Sequence, residues 1–383
     1  MTYDFPYPLD SGGKTRAYNL IKFAGSKMEI SLLSFVRQEP TKEELDKLHN
    51  IGVKNIHTIK RNSKRDIKSV LGVFTKNSIF KNLYYDSKIE KKIQQIISED
   101  QVDIVHFESY YTGFYIGEEL RKKGIKQVLG TENIEHQLYD LYTEKNAAFL
   151  TRPVLRREVN KIKKEEIKMI QEADCTLAVT KSECDYIEKN GGKNCTVIEN
   201  GVDIDYFAHT QKLQNPQKLL FIGNFSYFPN IDAMEYFYYE IFPKLPKDIE
   251  ITVLGKGYKA LDITDKRIKF IEYVEDIREV HKDAFAMVSP IRIGGGTNFK
   301  ILESMAARTA VIADPSRIPY VGARIGSEIF QASSADEFVD KIIMLRGSRV
   351  VRAEVEENAF EFVKNNYSWK NIGEKLNNVW EKT

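Results

Sequence analysis

The sequence has no hydrophobic run that could cross a membrane. Its apolar stretches fall well short of the ~18 consecutive apolar residues that a transmembrane helix requires. Its start also lacks the charged segment and apolar core of a secretory signal. These two absences predict a protein of the cytoplasm.

Cysteine is scarce as well. The 383 residues include three cysteines, Cys175, Cys184 and Cys195, an odd number whose spacing matches no metal-binding pattern. Such cysteines are typical of free thiols in a reducing compartment. Because no cluster of His, Cys and Asp accompanies them, the sequence predicts no metal site.

Net charge is almost absent, at +2, but its distribution is uneven. Residues 54–92 hold eleven Lys or Arg against three acidic residues, with aromatic side chains among them. This composition suits an anionic membrane surface and would hold the protein peripherally on the inner face of a membrane. A solvated helix face explains it equally well. No nucleic-acid partner is expected, because the charge is confined to one segment without a recognition motif.

The most informative stretch is a strand, a glycine turn and a helix in succession. Residues 285–289 form a short apolar run typical of a buried strand, and apolar residues recur at helical spacing over 299–306. Gly294, Gly295, Gly296 and Thr297 stand between them. This order leaves backbone amides free at the positive end of a helix dipole, which favours phosphate.

Charged residues flank this turn in an order that suits a nucleotide. Arg292 and Lys300 bracket the glycines and add two cationic donors. Glu303 lies one helical turn beyond Lys300, where a carboxylate can accept both hydroxyl hydrogens of a sugar diol. An ordinary glycine-rich connection between a strand and a helix is the alternative interpretation.

Two series of alternating strands and helices predict an α/β chain of two domains with parallel sheets. A polar stretch with Pro216, over about 206–217, separates them. We place the domains at 1–208 and 215–366. A second glycine pattern, Gly255-x-Gly257, follows a strand, but that strand is the second of its domain, so a dinucleotide fingerprint is not expected there.

Three segments of the chain resemble the retaining family-4 group of GT-B glycosyltransferases. They are 6–19 around the Gly12-Gly13 turn, 197–203, and 288–313 with Lys300 and Glu303. Two positions depart from the family pattern: Gly295 stands where a first Glu is usual, and Asn224 stands where many relatives carry a phosphate-binding Arg. An apolar strand precedes the glycine turn in that family, whereas only Met1–Asp4 is available here. We expect either a start upstream of Met1 or a very short strand.

The resemblance implies two Rossmann-like domains facing across a cleft, with a helix over 367–383 crossing back to the first domain. It implies metal-independent transfer, with no cofactor and with retention, from a nucleoside-diphosphate sugar to a glycan or lipid-linked acceptor in cell-surface polysaccharide synthesis. The implied donor diphosphate and sugar site comprises Gly12, Gly13, Asn224, Arg292, Gly294, Gly295, Gly296, Thr297 and Lys300. Glu303 would hold the ribose, and Gly255, Tyr273 and Val274 the base.

Three residues are candidates to orient or deprotonate the acceptor hydroxyl: Glu108, Glu132 and His136. Each also has a structural interpretation, since Glu108 can pair with a cation, Glu132 can bond the backbone and His136 can cap a helix. Two other functions stay open. The departures at Gly295 and Asn224 favour a non-catalytic nucleotide-sugar-binding subunit. A nucleotide-sugar 2-epimerase is disfavoured, because no pocket rich in carboxylates and His is predicted near the signature.

Overall fold

The computed structural model describes residues 1–25, 27–61, 75–148, 150–293 and 299–383. It divides into two compact units, Met1–Asn200 with Lys370–Thr383, and Gly201–Trp369. Both are α/β with parallel strands, as the sequence predicts. The sequence-based boundaries at 208 and 367 differ from these by several residues. The Val202 backbone pairs with Tyr367 and Ser368, which keeps both segments in the second unit.

The first unit alternates strands and helices along the chain. Its strands are β1 (Ile30–Val36), β2 (Val53–Lys60), β3 (Ile104–Glu108), β4 (Lys126–Gly130), β5 (Cys175–Ala178) and β6 (Cys195–Val197). Its helices are α1 (Gly12–Ala24), α2 (Lys42–His49), α3 (Ile79–Tyr84), α4 (Ser87–Glu99), α5 (Glu118–Lys122), α6 (Glu135–Asn146), α7 (Arg152–Glu172) and α8 (Lys181–Lys189).

In the first unit, the first residues of the chain lie between two sets of paired strands. Strands β1 and β2 pair with each other, and β3, β4, β5 and β6 pair in that order, all in parallel. Thr2 joins the two sets by parallel bridges to Ser34 of β1 and Glu108 of β3. A very short segment therefore occupies the position that the family resemblance assigns to a full strand. Beside it, a cavity of about 410 Å³ is lined by the first residues of β1 and by β3 from Ile104 to Glu108.

The second unit contains a six-stranded parallel sheet of order β12-β11-β10-β7-β8-β9. Its strands are β7 (Lys218–Ile222), β8 (Glu250–Leu254), β9 (Ile268–Ile271), β10 (Ala284–Ser289), β11 (Ala310–Ala313) and β12 (Phe330–Gln331). Its helices are α9 (Ile204–Ala208), α10 (Phe228–Tyr236), α11 (Arg278–Lys282), α12 (Phe299–Ala306), α13 (Ile318–Val321), α14 (Ala335–Gly347) and α15 (Arg349–Asn366).

The central strand β10 shows why this sheet is covered on both faces. All six of its residues are buried, and its run Ala-Phe-Ala-Met-Val-Ser is continuous rather than alternating. Continuous apolar strands are typical of parallel sheets with helices on both sides. Phe285 packs in one apolar cluster and Met287 in the cluster on the other face, which includes Leu302 of α12. Leu302 therefore packs α12 against this face of the sheet.

The last helix, α16 (Trp369–Lys382), returns to the first unit. A Cβ atom at Gly373 would lie 2.6 Å from the Phe23 Cβ, so only glycine lets α16 approach α1 this closely. Lys375 bonds both carboxylate oxygens of Glu199 at 3.0 Å. The predicted return of the C-terminal helix to the first domain is confirmed.

The prediction of three free thiols is wrong for two of them. Cys184 of α8 and Cys195 of β6 form a disulfide, with their Cα atoms 5.7 Å apart. That separation lies in the usual range for a disulfide, and it arises because α8 packs directly against β6. The third, Cys175, is free and buried, and burial raises the pKa of its thiol to about 11.

Two of the sequence predictions concern membranes. No helix in the described ranges is long and apolar enough to span a bilayer. Within the basic segment 54–92, residues 62–74 lie outside the described residues. In the remainder, Lys54 pairs with Glu29, and Arg61 donates to the Tyr84 hydroxyl.

A buried ion pair ties the elements of the first unit together. Arg16 of α1 is 1% exposed, and its Nε donates to Glu108 at the end of β3 over 2.7 Å. Its Nη1 donates to the carbonyls of Ile198 and Glu199 and to the Asn200 side chain, at 3.0–3.1 Å. One guanidinium thus fixes α1 against β3 and the chain that follows β6.

We expect Arg16→Met to destabilise the first unit by about 3–5 kcal/mol, because the Glu108 carboxylate would stay buried without its partner. Urea denaturation followed by circular dichroism measures this change. The matched control is Lys122→Met, which removes exposed α5 pairs with Glu118 and Glu119 and should cost no more than about 1 kcal/mol. Equal losses in the two variants would contradict the assignment.

Candidate active site

The glycine pair of the first unit lies at the start of α1. The helix begins at Gly12, and no side chain among the described residues caps it, so its first amides are available to an anion. A Cβ atom at position 13 would lie 2.2 Å from the Tyr3 hydroxyl oxygen and 2.9 Å from Glu132 Oε1. Only glycine fits there, and the helix start therefore lies against Tyr3 and Glu132.

Glu132, just beyond the end of β4, is the candidate whose carboxyl group is least engaged. Its Oε1 is buried and has no hydrogen-bond partner within the described ranges. Burial and then the nearby Glu108 raise the pKa of Glu132 to about 7, against the opposing effects of Arg16 and Tyr3. A carboxyl group with this pKa exchanges its proton near neutrality, as general acid–base catalysis requires.

Glu108 lies near Glu132 but, unlike Glu132, is paired with a buried cation. Arg16 donates to its Oε1, and His106 Nε2 lies 2.8 Å from its Oε2. Burial alone would raise the pKa of Glu108, but Arg16 and His106 outweigh it and bring the pKa to about 2. This carboxylate stays ionised at neutral pH, and its contacts give it the role of holding Arg16.

His136 has both ring nitrogens in use. Its Nδ1 contacts the Glu166 carboxylate, and its Nε2 lies 3.0 Å from the Tyr186 hydroxyl. The same carboxylate accepts the backbone amides of Glu135 and His136, at 2.7 and 3.3 Å, at the start of α6. These contacts are those of a residue that anchors a helix start.

Sequence reasoning missed two polar groups beside this site. Arg16 Nη2 and Glu183 Oε2 are buried without a hydrogen-bond partner in the part of the chain that the structure describes. Burial raises the pKa of Glu183 to about 7, against the hydrogen bonds from Thr180 and a smaller opposing effect of Arg16. Glu183 stands three residues after Thr180, so in the sequence it looks like part of a helix cap. The position of Thr180 just after β5 was the available signal, because parallel strands end at one edge.

In the second unit, the remaining candidates follow the carboxyl ends of parallel strands. Such ends lie along one edge of a sheet, where open α/β sheets bind their ligands. Asn224 follows β7, Gly255 follows β8, Tyr273 and Val274 follow β9, Arg292 follows β10, and Lys300 and Glu303 lie in α12. Gly294, Gly295, Gly296 and Thr297 lie outside the described residues.

Among the described residues, Lys300 donates one hydrogen bond, from its Nζ to Asn230 Oδ1 at 2.7 Å. Asn230 in turn donates to the Asn224 carbonyl at 2.9 Å, which links α12 to the loop after β7. Burial, and then the nearby Arg317, lower the pKa of Lys300 to about 7. Burial raises the pKa of Glu303 to about 7, against the effect of Lys300. Both groups therefore titrate near neutrality.

Arg317 is the cation that sequence reasoning missed. It is 3% exposed, follows β11, and acts electrostatically on Lys300. The predicted cation Arg292 instead bonds both oxygens of Asp232 at 3.1 Å and lies over the Tyr236 ring at 4.2 Å. The signal for Arg317 was its place just beyond a buried strand, three residues after Asp314.

The loops after β7 and β8 are in close backbone contact. Gly255 has φ +154°, and a Cβ atom there would lie 1.7 Å from the Gly223 carbonyl oxygen. The Asn224 side chain accepts the Ser226 amide at 2.9 Å, which fixes the turn before α10. Tyr273, in contrast, is 71% exposed. The carboxyl edge of the second unit's sheet therefore combines two closely packed loops with an exposed tyrosine ring.

The second unit can therefore bind an anion next to a polyhydroxy compound. Lys300 and Arg317 supply positive charge, and a helix start adds backbone dipoles of the same sign. Glu303 lies one turn further along α12 and can accept hydroxyl hydrogens. No group of three His, Cys, Asp or Glu among the described residues is arranged to hold a metal ion.

Two curated proteins show sequence similarity to the chain. An uncharacterised glycosyltransferase of Methanocaldococcus jannaschii, MJ1069, is 23% identical over 241 residues, which cover 56% of this chain and 60% of that protein. An uncharacterised 44.6 kDa protein in the cps region of Klebsiella pneumoniae is 21% identical over 386 residues, which cover 96% of each chain.

Solved structures with little sequence identity share the fold over the full length. Anabaena HepE in complex with UDP-glucose superposes with a TM-score of 0.68 at 13% identity, covering 100% of both chains. HepE with UDP gives 0.69 at 12% identity, covering 100% of this chain and 99% of that one. Sucrose-phosphate synthase from Thermosynechococcus elongatus gives 0.72 at 13%, covering 100% and 98%. The likeness shows a GT-B fold.

Family models match both units. The model described as Glycosyltransferase Family 4 matches residues 12–206, and the model described as Glycosyl transferases group 1 matches residues 216–347. The first match alone covers more than half of the chain. The chain therefore belongs to the family 4, group 1 glycosyltransferases, and the protein is a glycosyltransferase.

Proposed function

We propose that this glycosyltransferase moves a sugar from a nucleoside-diphosphate sugar to a hydroxyl group of a glycan or lipid-linked acceptor. The reaction would need no metal and would retain the anomeric configuration. The donor assignment rests on one observation. Lys300, Arg317 and Glu303 lie at the carboxyl edge of the second unit's sheet. The HepE complexes support a nucleotide-sugar donor, since they contain UDP and UDP-glucose.

The donor diphosphate would bind the two cations. Burial leaves Lys300 with a pKa of about 7, so a fraction of it is neutral without a ligand. A nearby diphosphate favours the protonated form and raises this pKa. The same attraction strengthens as the leaving diphosphate gains charge, which lowers the barrier to breaking the bond between the anomeric carbon and its phosphate oxygen. Glu303 would accept hydroxyl hydrogens of the ribose.

Acceptor activation would fall to Glu132. A new bond forms between the acceptor oxygen and the anomeric carbon, and the acceptor hydroxyl must lose its proton. Glu132 has a buried oxygen without a described partner and a pKa of about 7, and it lies against the helix start at Gly13. The pKa near 7 favours Glu132 over Glu108, which is paired with Arg16 and has a pKa of about 2. Glu132 is also favoured over His136, whose two ring nitrogens both have partners.

The enzyme would act in the synthesis of a cell-surface polysaccharide, in the cytoplasm at the inner face of the membrane. The similarity to a protein encoded in the cps region of Klebsiella pneumoniae supports this assignment. The basic segment 54–92 remains a predicted contact with an anionic membrane surface. Incubation with a panel of nucleotide sugars tests the proposal: release of nucleoside diphosphate supports it, and failure with every donor would contradict it.

Replacement of Lys300 by Ala should lower kcat by about 10²–10³-fold, because one preorganised cation at the leaving group is lost. Nucleoside diphosphate release measures the change. Lys259→Ala, which removes an exposed lysine of the same unit, is the matched control and should leave kcat unchanged. Unchanged turnover in the Lys300 variant would remove this residue from the donor site.

Donor binding should take up protons above pH 7. Free Lys300 is largely neutral there, and the bound diphosphate raises its pKa, so affinity should fall with rising pH by up to about tenfold per pH unit. Titration calorimetry in buffers of different ionisation enthalpy counts the protons. Lys300→Arg keeps the charge without titrating, and it should abolish both the uptake and the pH dependence. Uptake that persists in this variant would assign the proton to another group.

Glu132→Gln should lower kcat by about 10²–10⁴-fold with little change in donor affinity, since it removes a general base. In the wild type, kcat should rise as the pH passes about 7 and Glu132 loses its proton. His136→Asn is the comparison variant and should reduce thermal stability more than kcat, because His136 anchors α6. The opposite pattern, with kcat lost only in the His136 variant, would transfer the role to His136.

A further inference from the structure

The surface of α7 separates its charges by sign. Its exposed positions include five cations, Arg156, Arg157, Lys163, Lys164 and Lys168, here called the cationic stripe. They span about 18 Å at 1.5 Å per residue. Four of them, all except Lys168, form no ion pair with any described residue, whereas Lys168 lies 3.7 Å from Glu172.

The acidic side chains in the body of this helix point inward and have partners. Glu158 pairs with Lys161 and accepts the Ile79 amide at 3.0 Å. Glu165 accepts the Ser78 amide at 2.8 Å and the Tyr110 hydroxyl at 2.7 Å. Because these acids are turned inward, they do not neutralise the cationic stripe at the surface.

An apolar surface adjoins the stripe at the start of α7. Leu150 is 85% exposed and Val154 is 48% exposed, and together they are here called the apolar tip. Val154, Arg157, Lys164 and Lys168 are spaced by three, four or seven residues, so they follow one line along α7, and Leu150 precedes the helix by two residues. Arg152 closes the connection to α6 by donating to the Glu144 carbonyl at 3.2 Å.

We propose that α7 lies on an anionic lipid surface, with the apolar tip entering the headgroup region and the cationic stripe contacting lipid phosphates. A soluble polyanion would need the stripe alone, whereas exposed leucine and valine next to it favour a surface that also offers hydrocarbon. The neighbouring acids Asp140 and Glu144 are exposed on α6, but neither pairs with the stripe among the described residues. This inference does not depend on the donor or acceptor proposed above.

Sedimentation with lipid vesicles tests the proposal on the full chain. The protein should bind vesicles of phosphatidylcholine mixed with phosphatidylglycerol and bind pure phosphatidylcholine far more weakly. Replacing Arg156, Arg157, Lys163 and Lys164 together by Gln should weaken binding at least about a hundredfold, since each basic residue at such a surface contributes about fivefold. Leu150→Ser should weaken it about fivefold or more, because an apolar side chain no longer enters the bilayer.

The matched control replaces four exposed lysines of the second unit, namely Lys247, Lys259, Lys266 and Lys269, by Gln. It removes the same charge and should retain most vesicle binding; circular dichroism and thermal melting confirm folding of each variant. Loss in this control with retention in the α7 variant would overturn the proposal. So would binding to a soluble polyanion such as heparin as tight as binding to vesicles, with no effect of Leu150→Ser.

Discussion

Parallel strand pairing is the constraint on which both candidate sites depend. A parallel strand must be followed by a crossover before the next strand begins, so every carboxyl end lies at the same edge of its sheet. In the second unit this brings the loops after β7, β8, β9, β10 and β11 to one edge. In the first unit it brings Glu108 and Glu132 together at the ends of β3 and β4. Chemistry at these edges then depends on which side chains stand at the strand ends.

The buried charged side chains at these strand ends fall into two groups. Arg16 and Glu108 are buried with hydrogen-bonded partners, which makes them part of the framework. Glu132 is close to both but forms no ion pair among the described residues, and one of its buried oxygens has no described hydrogen-bond partner. Leaving a charge or polar group unsatisfied costs stability, and sites that bind and react are where proteins tolerate that cost. Asn230 accepts a hydrogen bond from Lys300 and so holds it in place without neutralising its charge.

The sequence predicted the strands, the helices and many of the residues at the carboxyl edges of the sheets. Strand ends, glycine turns and helix starts can be recognised from patterns of a few neighbouring residues. The sequence could not show which distant groups pair. Arg292 bonds Asp232, some sixty residues earlier in the chain, and Arg317 takes a place beside Lys300 that spacing alone did not suggest. The Cys184–Cys195 disulfide was missed for the same reason, since it depends on α8 packing against β6.

In the proposed reaction, the two titrating groups would have opposite protonation requirements. A cation at Lys300 must be protonated to hold a diphosphate, whereas a base at Glu132 must be deprotonated, and both have a pKa of about 7. In the free protein at neutral pH, only a fraction of molecules would combine both states. A bound diphosphate favours the ammonium and raises the pKa of Lys300, so the pH range in which both conditions hold widens. A bound donor would thus favour the protonation state of Lys300 that sugar transfer requires. Before the acceptor binds, hydrolysis of the donor would be restrained only by exclusion of water.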